Sequence, residues 1–135
     1  MDDWYEKEQL HFAAQDGNID RVKELIEYGV DINTFDDLER TALHYAVEAE
    51  NFEIADFLIK NGANVNSQNI DKIGETPLSN VADKCSLKMA KFLVKHGALV
   101  ETKGWMGLSA IDRAQKRKKN EGVQVYEYLL SAKKT

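Results

Sequence analysis

The 135-residue chain is long enough for one compact domain and short for two ordinary ones, and its 43% hydrophobic and 30% charged residues exclude a mainly disordered state. It has no run of 18 apolar residues, an acidic N-terminal MDDWYEKEQ where a secretory leader would be basic and then apolar, and a single cysteine, Cys85, so it is expected to be a cytoplasmic protein without disulfides or membrane spans. The net charge of −5 is uneven: residues 1–56 carry 16 acidic against 4 basic side chains, and residues 57–135 carry 7 against 14.

In chain order, the first predicted unit is QLHFAAQDGNIDRVKELIEYGVDIN from Gln9, two short helices that end near Gly29, then extended VDIN and the turn-rich DDLER. The second, ALHYAVEAENFEIADFLIKNGANVN from Ala42, has Thr41 in the capping place and closes at Gly62 ahead of NIDKIGE. In the third, PLSNVADKCSLKMAKFLVKHGALVE, Thr76 caps and Pro77 occupies the first helical turn, where a missing N–H does no harm. Leu78, Val81 and Ala82 give its inner face at i, i+3, i+4 spacing, and a second apolar helix runs from Leu87 to Lys95. The fourth, AIDRAQ…VQVYEYLL from Ala110, follows the turn KGWMG and the cap Ser109.

The spacing makes these units a repeat. Leu10 to Leu43 is 33 residues, Leu43 to Leu78 is 35 and Leu78 to Ile111 is 33, while the step from each leading Leu to the closing Gly29, Gly62 or Gly97 is always 19. The two extra residues of the middle interval therefore fall between Gly62 and Leu78. A glycine just past each second helix fits a residue held at positive φ. No unit of this size buries its apolar face alone, so neighbours must stack.

With their period of 33, the pieces GETPLSNVA, RTALHYAV, QLHFAAQDGN and GLSAIDRAQ resemble the ankyrin repeat, whose signature has the form G-x-T-P-L-H-x-A-A. The resemblance covers essentially the whole chain. It implies an all-α ankyrin-repeat solenoid of stacked helix-turn-helix units with projecting loops or hairpins, one domain over residues 1–135 with repeats near 3–35, 36–68, 71–103 and 104–135. Departures occur: only Pro77 matches the family proline, Ser79 and Asp112 replace the motif histidine, and the last unit carries about three extra residues in KRKKNEG.

The chemistry of the chain does not point to an enzyme. His11 and His44 fall on the repeat's motif position, where an imidazole ties neighbouring loops, and His96 stands at a helix end beside Gly97. Cys85 has no second cysteine for zinc, no glycine-rich stretch reads as a phosphate cradle, and no cofactor or metal is expected. The basic run Lys116, Arg117, Lys118 and Lys119 is short and lacks interleaved aromatics, so it reads as a solvated segment before a nucleic-acid contact.

The resemblance further implies a concave binding surface made of the loop tips and the exposed face of the first helices. Position by position, the tips here are Trp4, Tyr5 and Lys7; Asp37, Leu38 and Arg40; Lys72, Ile73 and Glu75; and Trp105, Met106 and Leu108. The first-helix positions are Gln15 and Asp16, Glu48 and Ala49, Asp83 and Lys84, and Lys116 and Arg117. The tips other than Lys7, together with Asp16 and Glu48, form the expected partner-binding set. Trp, Tyr and Met are enriched at interface cores, and the acidic half invites a basic partner surface. The expected function is a monomeric protein-binding module, for instance an inhibitor or immunity-type antitoxin masking a basic enzyme. Alternatives are an adaptor bridging two proteins, or a regulatory subunit touching nucleic acid through the basic run.

Overall fold

The recurrent leucines set the architecture. In the computed structural model, residues 3–72 and 74–133 are described, without the side chains of Asp3, Trp4, Glu6 and Lys7. Of the expected sites, the side chain of Trp4 and the whole of Ile73 therefore lie outside what is described, as does the side chain of the tip residue Lys7. Among the described residues, eight α-helices follow in pairs: α1 (Asp3–Asp16) and α2 (Ile19–Tyr28), α3 (Ala42–Glu48) and α4 (Phe52–Lys60), α5 (Pro77–Val81) and α6 (Leu87–Lys95), α7 (Ala110–Gln115) and α8 (Glu121–Ser131). Among the described residues there is no strand, so the projecting segments are loops, with short 3-10 turns at Ile70–Lys72 and Trp105–Gly107.

Leu10 in the middle of α1 and Leu43 and Leu78 at the head of α3 and α5 are buried, as are Leu25, Leu58, Leu93 and Leu129 on the second helices. Each such side chain contributes about 1.5–3 kcal/mol through the apolar area it removes from water. α1 packs on α3, α3 on α5 and α5 on α7, so the core is continuous while the extensive helix contacts among the described residues stay within a unit or between neighbouring units. Buried Ala13, Ala46, Ala82 and Ala114 leave room for these short helices to approach. Of the last unit's three extra residues, one lies in the connection 116–120, where Asn120 takes φ 50°, and two lengthen the start of α8, so that Leu129 is buried as Leu25, Leu58 and Leu93 are.

Each first helix after α1 starts with a reciprocal cap in which the capping residue's own amide donates to a side chain three residues on. Thr41 N–H reaches His44 Nδ1 at 3.0 Å, Thr76 N–H reaches Ser79 Oγ at 2.9 Å, and Ser109 N–H reaches Asp112 Oδ2 at 2.9 Å. The residues that depart from the motif histidine therefore keep its capping role. Asp112 is held below the usual carboxylate range, chiefly by that amide. The second helices α2, α4 and α6 are capped by Asn18, Asn51 and Ser86 and close at Gly29, Gly62 and Gly97, whose φ values of 102°, 103° and 97° would strain any other residue.

Asparagine clamps align the loops. Asn33 donates to Gly62 O at 3.1 Å and accepts from Asn64 N–H at 2.8 Å; Asn66 does the same with Gly97 O and Leu99 N–H at 3.0 and 2.9 Å. At the next such position stands Glu101, which faces Lys133 at 3.8 Å instead.

Candidate functional site

The loops after α2, α4 and α6 project from the stack. Asp36 organises the first of them: its Oδ1 accepts the amides of Leu38 and Arg40 at 2.9 and 3.0 Å, and Tyr45 Oη–H donates to its Oδ2. Burial, followed by that carboxylate, pushes the Tyr45 phenol up to about 12. Adjacent loops are stitched together, with Asn69 donating to Glu39 and Gln68 donating to Lys103 O at 2.7 Å. The tips carry large apolar side chains in solvent: Leu38 is 69% exposed, Ile70 79%, Trp105 57% and Met106 70%.

Glu75 lies deeper than a tip residue. Its carboxylate accepts Ser79 Oγ–H at 2.7 Å and Trp105 N–H at 3.0 Å and pairs with Arg113 Nη2 at 2.5 Å, leaving only 17% of the side chain exposed. Gly104 makes room for it, since a Cβ there would stand 2.1 Å from Glu75 Oε1. His44 joins from the other side. Its Nδ1 accepts Thr41 N–H, so the proton sits on Nε2, which donates to Glu75 O at 2.7 Å. Burial pushes the His44 imidazole down to about 4, which keeps it neutral in this role.

Arg40 and Glu48, both expected to meet a partner, meet each other at 3.3 Å, and Glu48 also holds Lys84 at 3.0 Å. Burial opposes the Glu48 charge, but the Lys84 hydrogen bond and the Arg40 and Lys84 charges outweigh it and leave the carboxyl below its ordinary value. Arg117 is drawn out of the basic run. Its Nη1 donates to Cys85 O at 2.7 Å, and its side chain lies against Gly122. Tyr5, Asp16, Asp37 and Lys72 are exposed, and Leu108 is half-buried.

A groove of about 430 Å³ runs between α1 and the loop 34–38, with Phe12, Phe35, Leu38 and Tyr45 among its apolar walls and Glu8, Asp36 and Asp37 among its acidic ones. A second cleft of about 280 Å³, between the first two loops, brings together Leu38, Arg40, Lys72 and Glu75. Tyr5 and Asp16 line neither cleft. The sequence reading missed Glu8, Phe12, Phe35 and Tyr45. The register held a signal for two of them, because Phe12 and Tyr45 share the position of Asn80 and Arg113, on the first-helix face away from the leading leucine.

Among the described residues, no group of three histidine, cysteine or carboxylate side chains gathers as a metal-binding set, and no helix is long and apolar enough to cross a membrane. A family model described as ankyrin repeats in three copies matches residues 2–69, half of the chain, and another for ankyrin repeats in many copies matches residues 45–94. The chain belongs to the ankyrin-repeat family. Ankyrin repeats are non-catalytic protein–protein interaction modules. Similar proteins include a Saccharomyces cerevisiae protein described as a probable 26S proteasome regulatory subunit, 38% identical over 82 residues, which are 59% of this chain and 35% of that protein. An ankyrin repeat protein of Acanthamoeba polyphaga mimivirus is 39% identical over 66 residues, 49% of this chain and 9% of that protein. The human neurogenic locus notch homolog protein 1 is 44% identical over 57 residues, 42% of this chain and 2% of that protein. The chain thus spans between 2% and 35% of these relatives' length.

Proposed function

We propose that this ankyrin-repeat chain works by docking a protein partner with a basic surface across its loop-tip face, as a monomer and without a cofactor. One observation carries the reading: Leu38, Ile70, Trp105 and Met106 stand in solvent on loops fixed to one another, so their apolar area is available at low cost in ordering. A partner of standard size buries about 1,600 Å² in total, which four repeats can offer. In its most concrete form the chain is an inhibitor or immunity-type antitoxin that masks a basic enzyme such as a nuclease in the cytoplasm. The acidic half favours that version, since residues 1–56 hold 16 acidic against 4 basic side chains.

The adaptor reading draws on the same charge map, because a stack whose main helix contacts are between neighbouring units keeps its acidic and basic ends apart. The yeast relative's description as a regulatory subunit is in keeping with a chain that acts by attaching to another protein. Affinity capture from the native host with mass spectrometry separates the versions. One basic enzyme in stoichiometric yield supports inhibition, and two unrelated partners support an adaptor; recovery of nucleic acid alone overturns both. Trp105→Ala should weaken capture by at least about 1–2 kcal/mol with little change in melting temperature. A large loss of stability with unchanged capture would return Trp105 to a packing role.

A further inference from the structure

We propose that the groove between α1 and the loop 34–38 receives an arginine side chain of the partner. This deepens the protein-binding reading and rests on it. At about 430 Å³ the groove lies near the small end of ligand sites, which run from about 300 to 1,000 Å³, and suits one or two side chains.

Its chemistry is that of a site for a cation on a long apolar stem. Phe12, Phe35 and Leu38 supply apolar wall, and Phe12 and Leu38 remain 46% and 69% exposed. Glu8, Asp36 and Asp37 supply three carboxylates to the same groove. Among the described residues no lysine or arginine pairs with any of them, and the donors that do reach Asp36, namely the Tyr45 hydroxyl and the amides of Leu38 and Arg40, are neutral and leave its charge in place. Arg40, the chain's own cation nearby in sequence, is taken up by Glu48. A lysine or arginine stem would cover the rings while its head meets the carboxylates. Arginine fits better because its planar, weakly hydrated guanidinium stacks on aromatic faces and forks a carboxylate. The chain itself places a guanidinium this way, with Arg40 over the Tyr45 ring at 5.6 Å.

The neighbouring cleft shows why the selection belongs to the first unit. There Arg40 and Lys72 stand among Glu39 and Glu75, so its charges are matched internally and a cation gains little.

The test is a titration of the labelled full chain with the capped tripeptide acetyl-Gly-Arg-Gly-amide and its lysine and citrulline counterparts, followed by amide shifts in NMR. Saturable shifts centred on Phe12, Asp37 and Leu38 are expected, with arginine tighter than lysine and the uncharged citrulline weaker by about tenfold or more. The exposed double variant Glu8→Gln, Asp37→Asn should weaken the arginine peptide about fivefold or more with an unchanged melting temperature. Equal binding of citrulline or lysine, or shifts that never saturate in the groove, would overturn the assignment. Capture from the native host then separates the two levels. If the double variant retains the partner as well as the unmodified chain does, the groove assignment falls and protein binding stands; if the unmodified chain captures no protein, the docking reading falls, while the titration still reads the groove.

Discussion

The loops 36–40 and 104–108 are closed alike but differ at their third residue, since Met106 takes φ 61° and Leu38 has no positive φ. Each is closed by one bond between its ends, Asp36 N–H to Arg40 O and Gly104 N–H to Leu108 O, both 2.9 Å, and each turns through a left-handed fourth residue, Glu39 at φ 61° and Gly107 at φ 69°. The first loop is held from within, because Asp36 bonds its own amides. The second begins with glycine and borrows a carboxylate from the loop before it: Glu75 enters the space a Cβ would fill, takes Trp105 N–H and pairs with Arg113. One loop is therefore self-supporting, while the posture of the other depends on the preceding unit, and through His44 on the unit before that.

Four measurements break or sharpen this contrast. The largest effect tests the framework both loops share: Leu43→Ala should cost about 2–5 kcal/mol in urea unfolding, as truncation of a buried leucine does, and a silent change would mean that the repeat register is wrong. Acid comes next. The folded His44 titrates near 4 against an ordinary value of 6.5, so its stabilising contribution is complete above about pH 6.5 and is lost as the pH falls towards 4. A chain carrying His44→Gln should lack a loss of about 2–3 kcal/mol that the unmodified chain shows between pH 7.5 and 4.5. Identical pH profiles would mean that the imidazole does not hold Glu75 O in the neutral form.

The third measurement compares the two carboxylates. Glu75→Gln leaves the mostly buried Arg113 without its counter-charge and should cost about 2 kcal/mol, whereas Asp36→Asn should cost about 1 kcal/mol. Amide shifts at Trp105 and Met106 should move with Glu75→Gln and stay put with Asp36→Asn. The reverse ranking would refute a borrowed carboxylate. The smallest effect is Gly107→Ala, at about 1 kcal/mol. Nothing lies within 4 Å of the added Cβ, so a calorimetric melt would report backbone strain alone.

Much of this was legible in the sequence because it obeys a period. Leading leucines 33 or 35 residues apart, a glycine always 19 residues on, and Thr41, Thr76 and Ser109 in the capping place are sufficient to locate the helices after α1. The solvent position of Leu38, Trp105 and Met106 also follows from the register, since the framework assigns them no inward face. What could not be read is side-chain commitment across units. Glu75 looks like a tip residue until a glycine 29 positions later admits it and an arginine 38 positions later pairs with it. Arg117 reads as one of four like charges until its reach to the carbonyl of Cys85 is visible. The acidic groove combines a first-helix face with a loop more than 20 residues away, and periodicity describes each of these alone.

The asparagine clamps have a mechanical consequence. Asn33 grips the second unit and Asn66 the third, and neither reaches further, so tension applied along the stack passes through joints in series. A chain wired in this way yields at its weakest link and leaves the others closed. The joint at Glu101, secured by a 3.8 Å ion pair to Lys133 where the earlier joints have an amide, is the one expected to slip first under load and to slip sooner as salt is raised.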